Sequence, residues 1–349
     1  MGRKRGIMKK ICMLIAIIFI CSVLNAGGTK GGLNSWVDSW PTQPITVICP
    51  WAVGGVVDRV NRALAVYGED FFNQPIVATN DFIRQDAISV SENFLQAVTP
   101  LLGDGGNVAF TNYLDTKAND PVFIIGSENA FAVTPILRTD RPVPFNYNDF
   151  EPVISLCSAV FVMTANGRLN IKDLKSLQDY GKGKTLKVAV GGTSSIEYFM
   201  LKQLFEELEL KLEVIAYNGA NLALEALMKG EVDLAVSHQS QAKQGVETGV
   251  ITPVVLFDEK GSDKGVYAGV KGVGEYGYTA YCKNRSFLMA RKGTNAAVIQ
   301  KMYEGYKKIL AQEEIQQLYK NMMIEIEPLD AIEIRKHISE VQAMVKSHL

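Results

Sequence analysis

The sequence predicts an α/β protein built on mainly parallel sheets that helices cover on both faces. Three observations lead to this fold class. Short apolar runs alternate with longer segments of helical period. The runs are apolar throughout, and glycine-rich turns separate the runs from the helical segments. Such runs are typical of strands buried on both faces of a parallel sheet, with the helical segments as crossover connections. The 349 residues suffice for two domains of ordinary size.

The predicted elements run in order along the chain. Strands are expected at residues 45–49, 122–125, 152–156, 160–164, 186–190, 212–216, 232–236 and 286–290. Helices are expected at residues 57–67, 174–180, 196–208, 220–228, 296–310, 314–322 and 331–345. In the last helix, Ile334, Ile338, Val341 and Val345 share one face, which predicts that this face packs on the protein's own core.

The amino-terminal residues differ in composition from the rest of the chain. Basic residues between Arg3 and Lys10 precede an apolar run from Ile11 to Leu24. That run is shorter than the about 20 apolar residues of a membrane-spanning helix. The layout is typical of a secretory signal, so residues 1–26 are expected to be a signal peptide cleaved near Ala26, with the protein periplasmic or otherwise extracytoplasmic. Lipid attachment at Cys21 and an uncleaved anchor are the alternatives.

Composition argues against several classes of function. The formal net charge is -1, and no basic cluster follows the leader, so nucleic acid is not expected as a partner. With only 3 histidines and no Cys or His cluster, neither a metal site nor a cofactor is predicted. Past the leader, Cys49, Cys157 and Cys282 are interpreted as small buried thiols, with a disulfide pair as the alternative.

The segment Ile45–Asp58 contains a strand, a glycine pair and the start of a helix in succession. Gly54 and Gly55 let backbone N–H groups approach a ligand without intervening side chains, and the first helical turn adds unpaired donors of positive dipole character. The segment therefore predicts a site for an anion.

A second unit of the same construction follows the strand at 186–190. Gly191 and Gly192 precede Thr193, Ser194 and Ser195, whose hydroxyls could cap the next helix or reach a carboxylate. A third, weaker candidate is the strand end at 236–239. In a parallel sheet such loops lie at the carboxyl ends of the strands, where ligands of open α/β folds bind. Each loop alone is also compatible with an ordinary tight turn before a capped helix.

These residues resemble those of the tripartite tricarboxylate transporter solute receptors, the Bug or TctC-like proteins. The resemblance begins at Trp40-Pro41, centres on Pro50–Gly55 with Asp58 and Arg62, and covers nearly the whole mature chain. It continues through the segments 74–77, 103–114, 149–153, 217–220 and 230–233.

The resemblance implies a type II periplasmic-binding-protein fold, with two lobes joined by a two-strand hinge and no catalysis. We expect lobe 1 at residues 40–152 and 262–349, lobe 2 at 153–261, and chain crossings near Leu156 and Phe257. It further implies a monomeric receptor that captures a small carboxylate-bearing anion and delivers it to the permease subunits of such a transporter. One ligand carboxylate would rest on the amides of the first glycine loop, partly through ordered waters.

The expected ligand contacts come from both lobes. They are Trp51, Val53, Gly54, Gly55, Val56 and Ser127 in the first lobe and Gly192, Thr193, Ser194, Tyr217, Ser237 and His238 in the second. Two of them have open alternatives: Trp51 either stacks on a ligand ring or covers the pocket floor, and His238 either donates to a carboxylate or is structural. Asp58 is interpreted as a local cap or a partner of the helix dipole, because a carboxylate facing an anionic ligand would repel it.

The chain departs from the family pattern at three places. Val56 and Val57 follow the glycine pair where a hydroxyl residue is usual. Ser237-His238 replaces an Asp-Asn pair, which removes an acidic partner for a ligand amine and disfavours an amino acid as ligand. Residues 82–102 look inserted.

Two other classes of function remain as alternatives. A lipid-anchored sensor domain would bind the same ligand but signal instead of deliver. A hydrolase would use Ser194 or Ser195 with His238 and Asp233, yet the Gly-x-Ser-x-Gly motif is absent and Asp233 and His238 are five residues apart across a strand end.

Overall fold

A computed structural model describes residues 35–51, 53–81, 106–138, 142–217 and 219–348. The predicted leader and the segment at 82–102 lie outside the described residues. The chain divides into two compact units, Met1–Thr42 and Gln43–Leu349. The described part of the first unit contains the helix Ser35–Ser39, followed by a cis peptide bond between Trp40 and Pro41.

The second unit contains two sheets. The first sheet has the strand order β11-β4-β10-β3-β1-β2. Its strands are β1 (Ile45–Cys49), β2 (Ile76–Asn80), β3 (Val122–Ser127), β4 (Phe150–Ala159), β10 (Asn284–Arg291) and β11 (Ile324–Glu325). β1 pairs in parallel with β2 and β3, whereas β10 runs antiparallel to β3 and β4. The carboxyl ends of β1, β2 and β3 therefore share one edge of the sheet.

The second sheet has the order β7-β6-β8-β5-β9. Its strands are β5 (Phe161–Asn166), β6 (Thr185–Val190), β7 (Lys211–Ala216), β8 (Leu234–His238) and β9 (Ile251–Leu256). β6 pairs in parallel with β7 and β8, and β5 is antiparallel to β8 and β9. Both sheets are thus mixed. The α/β class is confirmed, but the parallel pairing that the apolar runs predict holds only for β2-β1-β3 in the first sheet and β7-β6-β8 in the second, and the remaining pairs are antiparallel.

Helices connect most of these strands. Those of eight or more residues are Val56–Ala65, Leu174–Gly181, Ile196–Glu207, Ala220–Lys229, Gln239–Glu247, Ala296–Leu310, Glu313–Met322 and Ala331–Ser347. Shorter helices lie at Gly68–Phe72, Asn107–Tyr113 and Thr134–Leu137, and a π-helical turn lies at Asn129–Val133. In the described part of the chain, no helix has both the length and the apolar character needed to cross a membrane.

The chain passes between the two sheets twice. It leaves the first sheet after Ala159 and enters the second at Phe161, a few residues beyond the crossing expected near Leu156. It leaves the second sheet after Leu256 and re-enters the first at Asn284. The strands that follow these passages, β5 and β10, are antiparallel to both of their neighbours. Each passage therefore ends in an interior strand of the sheet that receives it.

Aromatic side chains fill part of the core beside the first sheet. Phe131 lies at its centre, with ring centroids 5.2 Å from Phe110, 5.3 Å from Tyr147 and 5.1 Å from Phe150. Ile334, Ile338, Val341 and Val345 of the last helix are all buried, which confirms their predicted packing on the core. Cys49, Cys157 and Cys282 are free thiols, and burial raises the pKa of Cys49 to about 12.

Candidate functional site

The loop after β1 is held in shape by the helix that follows it. Gly54 has a φ of 83°, a left-handed conformation that glycine adopts without strain. Its N–H donates to Asp58 Oδ2 at 2.8 Å. The Gly54 amide therefore already has an acceptor within the protein, and Asp58 caps the loop locally.

Asp58 belongs to a polar brace behind this loop. Arg62 Nε lies 3.0 Å from Asp58 Oδ1, and Arg62 Nη2 donates to Asn80 Oδ1 at 2.6 Å. Asn80 Nδ2 in turn donates to the Trp51 carbonyl at 3.0 Å. Burial acts to raise the pKa of Asp58, but hydrogen bonds from Arg62, the Gly54 amide and Asn80 outweigh it and lower that pKa. Asp58 is therefore an ionised partner of Arg62 and is not free to meet a ligand.

The start of the helix Val56–Ala65 is the part of this loop that can bind an anion. Gly55 is the N-cap, and among the described residues no side chain caps the helix. Within the same part of the chain, no acceptor is recorded for the N–H groups of Val56 and Val57. The first amides of a helix carry partial positive charge and point along its axis toward solvent. Val53, Gly54 and Gly55 are exposed and Trp51 is half-buried, so a ligand can approach these amides.

Two other segments end at the same edge of the first sheet. Gly106, the N-cap of the helix Asn107–Tyr113, lies so close to Pro50 that a Cβ there would be 2.9 Å from the proline ring. Ser127 ends β3 and is buried, and its Oγ accepts from the Ala130 N–H at 3.4 Å. Ser127 therefore lies at the predicted edge, with its hydroxyl oxygen contacting the turn that follows.

The loop after β6 differs from the expected anion site. The Ile196 N–H donates to Asn129 Oδ1 at 2.7 Å, the Tyr198 N–H donates to Ser195 Oγ at 3.5 Å, and the Glu197 N–H bonds its own carboxyl group. The first amides of this helix are thus occupied by acceptors within the protein. Gly192 keeps open space around it, with no atom within 4 Å of a Cβ placed there.

The other second-sheet candidates lie beside this loop. Thr193 is exposed, and the Ser194 carbonyl accepts from Thr134 Oγ1 at 2.9 Å. The Tyr217 N–H donates to the Val190 carbonyl at 2.9 Å, which brings the loop after β7 against the end of β6. Among the described residues, no hydrogen bond joins the loop at 51–56 directly to these second-sheet loops. The turn after β3 contacts the loop after β6 instead, through Asn129 and Thr134.

Ser237 and His238 end β8. Ser237 is buried, and its hydroxyl contacts the His238 carbonyl at 3.4 Å. The His238 ring stacks on Phe161 with a centroid distance of 4.2 Å, and its Nε2 lies 3.3 Å from Asn284 Nδ2. Burial lowers the pKa of His238 to about 4, so the imidazole is neutral near neutral pH. A neutral ring packed in this way offers an anion no charge.

The uncapped helix start that follows β7 in the second sheet was not predicted from the sequence. Gly219, with a φ of 104°, is the N-cap of the helix Ala220–Lys229, and within the described chain no side chain caps this helix either. A Cβ on Gly191 would lie 2.9 Å from the Ala220 nitrogen, so the glycine at 191 permits close approach of the two loops. The signal was present, since Gly219 directly precedes an apolar helical segment.

The residues of a hydrolytic triad are not assembled. The Asp233 carboxylate accepts from the Lys187 N–H at 2.8 Å at the start of β8, whereas His238 ends that strand. The separation is roughly 16 Å of extended chain. Ser195 Oγ donates to the Gly192 carbonyl at 3.1 Å. Within the described ranges, no group of three or more His, Cys, Asp or Glu side chains is arranged to hold a metal ion.

Comparisons with known proteins agree on one group of relatives. A sequence model described as tripartite tricarboxylate transporter family receptor matches residues 83–347. Protein BugT of Bordetella pertussis is 23% identical over 266 residues, which is 75% of this chain and 74% of BugT. A UPF0065 protein of Cupriavidus necator is 23% identical over 280 residues, covering 78% of this chain and 76% of the relative.

Solved structures show the same likeness. MatC from Rhodopseudomonas palustris, with bound malate, has a TM-score of 0.71 at 20% identity, covering 88% of this chain and 99% of MatC. An R. palustris protein with adipate has a TM-score of 0.72 at 18% identity, covering 88% and 96% of the two chains. The periplasmic binding protein BugD has a TM-score of 0.69 at 19% identity, covering 88% and 96%. These structures confirm the predicted two-lobed periplasmic-binding-protein fold.

Proposed function

Because the chain belongs to the tripartite tricarboxylate transporter receptor family, we propose that it holds one ligand carboxylate on the first amides of the helix Val56–Ala65. Members of this family are extracytoplasmic solute-binding receptors, not enzymes. The observation that carries the proposal is the pair of N–H groups at Val56 and Val57, which have no recorded acceptor in the described chain at an approachable helix start. Charge-assisted hydrogen bonds to such donors are roughly twice as strong as neutral ones.

The brace behind the loop supports this assignment. Asp58 has its charge satisfied by Arg62 and the Gly54 amide, so it does not compete for the remaining donors. Each helix-terminal contact contributes about 0.3–1 kcal/mol when exposed and up to about 2 when partly buried. Micromolar affinity requires about 8 kcal/mol, so donors from the second lobe must also contribute.

The second lobe is proposed to close over the other end of the anion. Gly192, Thr193 and Tyr217 border the end of β6, and the uncapped start of the helix Ala220–Lys229 lies beside them. Ser194, Ser237 and His238 remain candidate contacts, although each already has a partner within the protein. The lobes would consist of the two sheets with their helices, and the passages at Val160 and at residues 257–283 would form the hinge.

Dicarboxylates and tricarboxylates are expected to stabilise the protein against heat, because a ligand that binds only the folded state raises its stability. At 100 times its dissociation constant, a ligand adds about 2.7 kcal/mol. Melting temperatures should be measured with malate, adipate and citrate, with the corresponding neutral amides as controls. Stabilisation by the amides but by none of the acids would contradict the carboxylate assignment.

Replacing Gly192 with valine tests the second lobe. The position has open space and needs no left-handed backbone, so unfolding stability should stay within about 0.5 kcal/mol of wild type. Affinity for a stabilising acid should fall, because the new side chain fills the space that the ligand would enter. Gly192→Ala, which adds a single methyl group at the same position, is the control with little added volume. Unchanged affinity in Gly192→Val would remove this loop from the site.

The remaining parts of the proposal concern cellular context. We propose that residues 1–26 direct export, and that the monomeric receptor delivers its anion to the permease subunits of the transporter for which the family is named. A mature protein that still contains residues 1–26, as measured by its mass, would contradict the leader assignment.

A further inference from the structure

The two sheets also meet at a junction whose side chains Asn129, Thr134 and Glu197 have no part in the ligand-binding proposal. The turn after β3 carries Asn129 and Thr134, and the loop after β6 carries Ser194 and Ile196. Thr134 Oγ1 donates to the Ser194 carbonyl at 2.9 Å, and Asn129 Oδ1 accepts from the Ile196 N–H at 2.7 Å. These hydrogen bonds connect the first sheet's side directly to the second, so they exist only when the two come together.

Glu197 lies at this same junction. Its carboxyl group is in hydrogen-bonding contact with its own N–H, with the Ser195 side chain and with the Asn129 side chain. Its Oε2 is buried and has no hydrogen-bond partner among the described residues. Burial is the largest influence on this group and raises the pKa of Glu197, with the three hydrogen bonds offsetting only part of the effect. A carboxylate buried without a cation is far more costly than the neutral acid.

The ionisable groups on the neighbouring elements contact groups other than the Glu197 carboxyl. Glu128, next to Asn129, has its Oε1 2.7 Å from His337 Nε2 and accepts from the Arg285 N–H. His348, at the end of the last helix, contacts the Phe199 ring at a centroid distance of 5.9 Å, and its Nδ1 lies 2.9 Å from the Met344 carbonyl. Within the described chain, the groups in contact with the Glu197 carboxyl are therefore uncharged, and none of them compensates a negative charge there.

We propose that Asn129 and Glu197 form a latch that holds the two lobes closed, and that ionisation of Glu197 releases it. The proposal rests on the receptor function only in assuming that the lobes separate. When they do, Glu197 lies at an exposed helix start, where water and the helix dipole favour its charged form. The closed state thus binds the proton more tightly than the open state.

The sign of the pH dependence follows from this difference. At low pH the acid is neutral in both states and closure is unopposed. As the pH rises above the ordinary range of a glutamic acid toward the raised pKa of Glu197, the ratio of closed to open protein falls by up to about tenfold per pH unit. Apparent ligand affinity scales with the closed, binding-competent fraction, so it should fall over the same range.

Small-angle X-ray scattering of the ligand-free protein tests the latch directly. We expect the radius of gyration of wild type to be larger at about pH 8 than at about pH 5. Glu197→Gln replaces the acid with a neutral group of the same shape that keeps the Asn129 contact, so it should stay compact at both values. Asn129→Ala removes the contacts to Ile196 and Glu197 and should be expanded at both. Glu206→Gln, the same change at an exposed position of the same helix, should follow wild type.

Each outcome decides the inference without reference to the ligand. A wild-type radius that does not change with pH, or a Glu197→Gln variant that expands as wild type does, would overturn the latch. If that happened while dicarboxylates still stabilised the protein, the proposed function would stand and only the latch would fall. If the scattering behaved as expected and no organic acid bound, the proposed function would fail alone.

Discussion

Replacing Val56 with proline is expected to weaken binding of the recognised carboxylate by roughly tenfold to a hundredfold while leaving the ligand-free protein as stable as wild type. Val56 is the first residue of its helix, where proline is tolerated because the N–H has no partner inside the helix. Gly55 before it is extended, with φ −64° and ψ 166°, which is the conformation that a residue preceding proline prefers. The substitution therefore removes one donor without disturbing the backbone.

The magnitude follows from the type of bond lost. A hydrogen bond to a charged group contributes about 1.5–3 kcal/mol, and each 1.4 kcal/mol changes affinity about tenfold. Isothermal titration calorimetry measures the affinity and thermal unfolding measures the stability. Val56→Ala, which shortens the side chain but keeps the N–H, is the matched control. Equal affinities for the proline and alanine variants would show that the Val56 amide does not hold the anion.

Replacing Phe131 with alanine is expected to lower the free energy of unfolding by about 3–5 kcal/mol, the usual range for truncating a buried phenylalanine. Phe131 is 1% exposed and packs against Phe110, Phe145, Tyr147 and Phe150. A Cβ on Gly126 would lie 2.0 Å from the Phe131 ring, so the ring also fills the space that this glycine leaves in β3.

Urea denaturation measures this loss. Val66→Ala, at a position 77% exposed, should change stability by less than about 0.5 kcal/mol. Because Phe131 belongs to the same π-helical turn as Asn129, the variant should also expand the ligand-free protein at low pH. A loss of stability no larger than that of Val66→Ala would mean that this cluster does not anchor the turn.

Much of the fold was predictable because burial leaves a direct trace in the sequence. The strand Ile45–Cys49 and the helix Ala296–Leu310 have the predicted bounds, since an apolar run or a helical period begins and ends where the element does. The helix Gln239–Glu247 was not predicted, because its mostly polar residues show little apolar period. The strand β9 was also missed, and its Pro253 is a residue that normally argues against a strand.

The site was predictable only as far as local sequence determines it. The glycine pair and the helix start at 54–56 form the expected turn, and chain spacing alone indicates it. The hydrogen bond from the Gly54 N–H to Asp58 depends on the direction of the Asp58 side chain, which the order of residues in the sequence does not specify. Asn129, in the turn after β3, and Ile196, at the start of the helix after β6, are 67 positions apart in the chain. No local signal in the sequence therefore predicts that Asn129 already accepts from the first amide of that helix.

The brace formed by Asp58, Arg62 and Asn80 has a consequence for how ligand selectivity can evolve. These hydrogen bonds already hold Gly54 and the Trp51 carbonyl in place without a solute. At the proposed site, capture would then not require ordering them, and the cost of about 0.5–1.5 kcal/mol per immobilised side chain would be avoided. Hydrogen bonds from main-chain N–H groups to a carboxylate would also not depend on the rest of the ligand molecule. In the proposed site, discrimination between acids would be left to the opposite lobe, where substitutions could change which acid is bound without altering the first loop.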